Sequence, residues 1–465
     1  MCEHGNVFAV KHIKKLIIMN KVLYLFLAVL ILSSCNSAKN DGWTELFNGK
    51  DLTGWKQLNG EAKYEAADGM IVGTTVANTP NSFLCTEQEY SDFVLELEML
   101  LVDDFNSGMQ FRSQSSPDYM NGRVHGYQCE VDPSERAWSA GIYDEARRGW
   151  LYPVELNPDA KTAFKSGQWN HYRIECIGSS IKTWLNGVPV SHLIDDMTPK
   201  GFIALQVHSI RDESMANRQI KWRNIRIKTE NLQPSPDEGI YVVNMLPNNL
   251  SKAEEGQGFK LLFDGKSIDN FKSAEEDEFP SKGWEVKNGE LIVLSSGGDP
   301  EKKGGSIVTK EQFGPFELKF DFMFTEGANS GVKYCLGNNG PSVGLEYQIL
   351  DDENHPDAKN GINGNRTLAS LYDLIPAQKE KRYIKGPGEW NRGRIVVYPD
   401  NRAEHWLNGR KVVEFTRGSD EFKKLVAGSK FADKEGFAMA DQWPIYFQDH
   451  NDEVHFRSIK IRELQ

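Results

Sequence analysis

GQWNHYRIECIGSSIKTWLNGVPV, residues 167–190, is written again as GEWNRGRIVVYPDNRAEHWLNGRKVV at residues 388–413. Each version leaves a Trp-Asn pair, alternates apolar with polar residues, turns, alternates again through a tryptophan and turns at Asn-Gly. Alternation with a period of two places successive side chains on opposite faces of a strand. Asn-Gly supplies the positive φ that a two-residue hairpin needs. The stretch therefore reads as antiparallel strands joined by tight turns, and the chain contains it twice.

The rest of the sequence repeats in the same order. ELFNGKDLTGW at 45–55 returns as LLFDGKSIDNF at 261–271, FNSGMQFR at 105–112 as ANSGVKYC at 328–335, and IKWRNIRIK at 220–228 as VHFRSIKIR at 454–462. A tandem duplication with copies of about two hundred residues follows. Other runs (FVLELEML, FELKFDFMF, GRIVVY) alternate in the same way, and long helical patterns are nearly absent. The expected class is all-β: two antiparallel β-sandwiches, the first over residues 42–229 and the second over 259–465. Residues 230–258 carry three prolines and an acidic cluster, as a linker does, with an apolar centre, YVVNML, suited to packing on a domain.

The 465 residues carry a formal charge of -12 and no Lys/Arg-rich run, which argues against a nucleic-acid partner. From Met19 the chain reads MNKVLYLFLAVLILSSC, a basic start, a short apolar stretch and small residues before Cys35. This has the form of a secretory signal, residues 1–35, and LSSC resembles a bacterial lipobox. Cys35 would then carry lipid and hold the protein at the cell envelope, facing the periplasm or the outer surface. Cys85, Cys129, Cys176 and Cys335 have no metal-ligand spacing and read as buried free thiols.

GYQCEVDP at 126–133 is the chemically loaded strand. Gln128, Glu130 and Asp132 alternate with Cys129 and Val131, so one face is oily and the other carries an amide and two carboxylates. Aligned on Gly126 and Gly344, it sits over GLEYQIL, which places Gln128 on Glu346 and Glu130 on Gln348, one carboxylate and one amide in swapped order.

The set FNGKDLTGW, NSGMQFR, GYQCEVDP, GIYDEARRGW, GQWNHYRI and WLNG, with its second-copy partners, resembles the 3-keto-disaccharide hydrolase family, formerly domain of unknown function 1080. The resemblance implies two concanavalin A-like jelly rolls whose concave sheets bind sugar. It also implies a substrate class of 3-keto-glycosides. A ketone at C3 acidifies the C2 hydrogen, so one base can remove that proton, the C1 oxygen leaves by β-elimination, and water then adds. Glu130 is the expected base, with His125 or Tyr143 as proton donor, Arg112 or Arg147 countering enolate charge, and Glu346 as the second copy's carboxylate. Expected sugar contacts are Gln128, Asp132, Trp138, Asp144, Arg148, Trp150 and His208 in the first copy, and Gln348, Arg366, Tyr372, Asp373 and His450 in the second. No cofactor is certain from the sequence; a divalent metal such as calcium is compatible with the oxygen-rich stretch 350–357. An upstream sugar C3-dehydrogenase would have to supply the ketone. A conventional glycoside hydrolase, needing two facing carboxylates, and a non-catalytic glycan-binding lipoprotein are the alternatives.

Overall fold

The computed structural model describes residues 42–337 and 339–465; the leader and Cys35 lie outside the described residues. Each copy is a sandwich of two mainly antiparallel sheets, a jelly roll as expected. In the first copy a nine-stranded sheet packs on a seven-stranded one whose order is Gly149–Tyr152, Ile142–Glu145, His125–Val131, Ser107–Gln114, Gly201–Val207, Ser82–Tyr90, Trp55–Leu58. In the second copy the sheets have eight and five strands. The smaller of these keeps Asn329–Tyr334 beside Leu345–Leu350, and its order ends at the latter strand.

The repeated Trp-Asn and Asn-Gly signals have a common physical origin. Asn186 and Gly187 form the hairpin turn at φ 50° and 81°, and Asn408 and Gly409 repeat it with the same angles. The Asn186 amide then donates to Asn170 Oδ1 at 2.8 Å, and Asn408 does the same to Asn391 at 2.9 Å. Asn170 is fully buried and also bonds the backbone of Lys165 and Gln168, so one side chain closes the preceding loop onto the hairpin. Asn170→Ala is expected to destabilise the first copy by about 2–3 kcal/mol, because it removes the four hydrogen bonds that tie the Lys165 and Gln168 backbone and the Asn186 amide to one buried side chain. An unchanged denaturant midpoint would contradict that account.

The linker is built into the fold. Val243–Asn244 adds a parallel strand beside Leu193 and Ile194 of the first copy. Residues Lys252–Gly256 then form a helical turn closed by a capping box between Ser251 and Glu254. Asn244 donates to the buried Glu254 at 2.7 Å, and Glu254 receives Lys460 of the second copy at 2.9 Å. Burial alone would raise the Glu254 carboxyl, but the Lys319 and Lys460 ammonium groups bring it down to about 2. The four cysteines of the described residues are free and buried.

Candidate active site

The strand His125–Val131 behaves as its alternation requires. Tyr127, Cys129 and Val131 enter the core, while Gln128 and Glu130 line a cavity of about 750 Å3 on the other face. The neighbouring strand makes room for them. Gly108 pairs with Glu130, and a Cβ on Gly108 would stand 2.5 Å from the Gln128 side-chain carbon, so the repeated Asn-Ser-Gly needs its glycine for close approach. The second copy uses the same device, with Gly331 opposite Gln348 and its missing Cβ leaving space for Glu346. This register sets Glu130 over Gln348 and Gln128 over Glu346, the swap expected from the alignment.

Glu130 is held by amides. Asn106 donates to Oε1 and Gln128 donates to Oε2 at 3.1 Å, while Gln110 and Gln206 donate to Gln128 Oε1 at 2.6 and 3.0 Å. Burial pushes the Glu130 carboxyl up to about 8; Asp132 adds to the rise, and the two amide donors oppose it. Tyr143, directly across from Gln128, lines the same cavity, and burial followed by the charges of Glu145 and Glu130 raises its pKa, keeping the phenol protonated. Arg136 also reaches the cavity, anchored on Asp132 at 2.7 Å and stacked over Trp138 and Trp150 at 4.5 and 5.0 Å. Gln206, which also lines the cavity, has its Oε1 buried without a partner. Gly108→Ala is expected to displace Gln128 and reduce turnover at least about tenfold with a smaller loss of stability; a variant as active as the parent would show that the Gln128 position is not needed.

Of the expected first-copy residues, Gln128, Glu130, Tyr143, Trp150 and His208 line this cavity. The others lie outside this lining and are engaged elsewhere. Arg112 is buried at φ 44°, and its guanidinium is spent on the Ser91 and Gly178 carbonyls and on Asp92, so it is a structural cation. His125 stacks on Tyr119 at 4.0 Å and bonds the Arg123 carbonyl. Asp144 shares its buried carboxylate between Arg147 and Arg148, and Arg148 continues to Asp195, which also accepts the Tyr127 hydroxyl. Asp132 holds Ser134 and Arg136, so it positions rather than contacts. Trp138 is fully buried between the copies, under Arg410 and beside Tyr383 of the second.

Asn106, Arg136, Glu145 and Gln206 were not anticipated. Glu145 was within reach of the same period-two argument, since it alternates with Tyr143. Arg136 sits in an irregular turn, where no pattern announces a direction.

In the second copy Lys333 replaces Gln110 and approaches the buried Glu346 at 3.5 Å. Gln348 bonds Asn329 at 3.1 Å. Arg366 pairs with Asp357 and Asp373, and Tyr372 donates to Asp357 at 2.8 Å, so these residues tie a loop together. His450 is exposed and faces His355, which with Asp452 forms a group whose ligand atoms lie within 4.8 Å of one another. The carboxylates of the 350–357 stretch are engaged otherwise: Asp351 by backbone and Asn354 amides, Asp352 by Lys379, and Asp357 by Arg366. That stretch is a hydrogen-bonded turn.

A duplicated jelly roll places an amide-cradled carboxylate, a tyrosine and an arginine around one polar cavity, the features of a site that binds and reacts with a small molecule. Residues 42–228 and 258–462 both match the 3-keto-alpha-glucoside-1,2-lyase-like domain, and the chain belongs to that family. It is 32% identical over 249 residues to the 3-keto-disaccharide hydrolase of Bacteroides thetaiotaomicron, a match covering 47% of this chain and 82% of that protein. Among solved structures, a candidate glycosyl hydrolase of Parabacteroides distasonis ATCC 8503 is 28% identical, with a TM-score of 0.41 covering 47% of this chain and all of that one. The carbohydrate-binding module CBM66 of Bacillus subtilis is 19% identical, with a TM-score of 0.29 over 38% of this chain and 96% of that one.

Proposed function

We propose that the first-copy cavity cleaves the C1 glycosidic bond of 3-keto-glycosides by elimination and hydration. The observation that carries this is Glu130: a buried carboxyl near pKa 8, facing a cavity that also holds a neutral tyrosine and a fixed arginine. Ionised Glu130 takes the proton from C2. The C2–H electron pair forms the enolate, whose charge Arg136 offsets, and then closes the C1=C2 double bond as the C1–O bond breaks. Tyr143 gives its proton to the departing oxygen. In the return half, the Tyr143 phenolate takes a proton from water as its oxygen bonds C1, and Glu130 returns a proton to C2. A free 3-keto-sugar and an alcohol result, with both side chains restored.

Mass spectrometry of a 3-keto-glucoside and its unoxidised parent, each incubated in D2O, tests the reaction. Exchange at Glu130 between the two halves puts deuterium on C2 beyond that of product held without enzyme; cleavage of the unoxidised parent at a rate comparable to the keto substrate would reject the route. The membership of one relative named a hydrolase and the lyase-like family description both fit a reaction with these two halves.

A conventional hydrolase is favoured by one observation, that Glu145 lines the same cavity as Glu130. Glu145 pairs with Gly126, four residues along from Glu130, which separates the two Cα atoms by roughly 13 Å at about 3.3 Å per residue. Glu145 is also bound by Arg123 at 3.2 Å. Cleavage of the unoxidised parent in the same assay would select this reading. The lipid anchor at Cys35, and with it an envelope location, belongs to the same proposal, supported by the leader sequence; the mass of the mature protein tests it.

A further inference from the structure

The two copies enclose a cleft of about 810 Å3 that shares Arg136, Tyr143 and Trp150 with the Glu130 cavity. Seven of its lining side chains are Arg or Lys and four are Asp or Glu, a positive excess in a chain whose formal charge is -12. Most of these cations are matched: Arg147 and Arg148 to Asp144, Arg457 to Asp321. Two are not. Among the described residues Lys385 and Arg392 have no carboxylate within 4.0 Å. Lys385 donates to the Arg148 carbonyl at 3.1 Å, while Arg392 reaches the Leu151 carbonyl at 3.2 Å and the Met245 sulfur at 2.9 Å. Burial pulls the Arg392 pKa below its ordinary value, against the pull of Asp321. Arg392 is half-buried, with Asp321 its cross-strand neighbour and Asp195 also favouring its charge, yet its direct contacts are a thioether and one carbonyl, which leaves room for an anion at short range.

We propose that the cleft between the copies is a subsite for an anionic group, a carboxylate or a sulfate or phosphate ester, on the part of the glycoside that leaves. The reacting sugar sits at Glu130, the shared wall of Tyr143 and Trp150 carries the glycosidic oxygen, and the leaving portion extends toward Lys385 and Arg392. The second copy thereby supplies specificity to a reaction run by the first. This rests on the reading of the Glu130 cavity as the cleavage site.

The experiment compares kcat/KM of the full chain for 3-keto-glucosides whose leaving group is glucose, glucuronate or glucose 6-sulfate, alongside calorimetric binding of the corresponding unoxidised glucosides. A preference of roughly tenfold or more for an acidic leaving group is expected, weakening with salt. Lys385→Gln and Arg392→Gln should each reduce that ratio; Lys385 is half-buried and its variant serves if the Arg392 variant fails to fold. The stronger of the glucuronate and sulfate arms identifies the anion. Equal kcat/KM for neutral and acidic leaving groups, or a preference untouched by Lys385→Gln, would overturn the proposal. Absence of turnover with every 3-keto substrate, together with tighter binding of the acidic unoxidised glucosides that Lys385→Gln removes, would keep the subsite and reject the reaction.

Discussion

Glu130→Gln is expected to lower kcat/KM on a 3-keto-glucoside on the order of a thousandfold, the scale of losing a positioned general base. The substitution keeps the shape of the cavity, since Gln fills the same volume between Asn106 and Gln128. It removes the one group there whose pKa is set near the working range for taking a carbon-bound proton. Glu346→Gln is the informative comparison. The carboxylate of Glu346 is faced by Lys333 and lies on the other copy, so its replacement is expected to retain most of the turnover. Loss of activity in Glu346→Gln with activity kept in Glu130→Gln would transfer the chemistry to the second copy.

The second large effect is on pH dependence. Glu130 titrates near 4.5 when solvated and near 8 when folded, so the folded chain holds this proton more tightly than the unfolded one. Its contribution to stability is full below about pH 4.5 and is lost as pH rises through 8. Relative to Glu130→Gln, whose amide does not titrate, the wild type should lose on the order of 4 kcal/mol between pH 5 and 9, at about 1.36 kcal/mol per pKa unit. Over the same range kcat/KM should rise, with its limb near the same pKa, because the base must be ionised. Denaturant midpoints of the two proteins, taken at several pH values, measure the first trend, and parallel curves would show that Glu130 does not carry the shift. Activity and stability then move in opposite directions through a single proton.

How much of this could be read in advance depends on whether the physics is local. Strand periodicity and the Asn-Gly turns are local, and the duplication supplies each signal twice, so the two sandwiches and the outward face of Gln128 and Glu130 were legible. The fates of the arginines were not. Arg112 looked available because nothing beside it in sequence claims it, and Arg147 because Asp144, three residues before it, does not announce in sequence that the two side chains meet. Arg112 is claimed by Asp92 and two carbonyls brought in by folding, and Arg147 by Asp144 and Thr198. Arg136 was overlooked for the converse reason: Asp132 turns it into the cavity through a short irregular loop with no period to read. The burial of Trp138 could not be read because part of its cover, Tyr383 and Arg410, comes from the other copy.

The stitched linker has a consequence for how such a gene can be cut. A fragment ending at residue 229 would include every first-copy residue that lines the Glu130 cavity, yet it would lack Val243–Asn244, the strand that covers Val188–Ile194. The uncovered backbone donors and acceptors of that edge would be open to pairing with another molecule. Cutting after Gly258 keeps the cover but leaves Glu254 without Lys319 and Lys460. The duplication therefore produced two halves joined by a seam that neither completes alone.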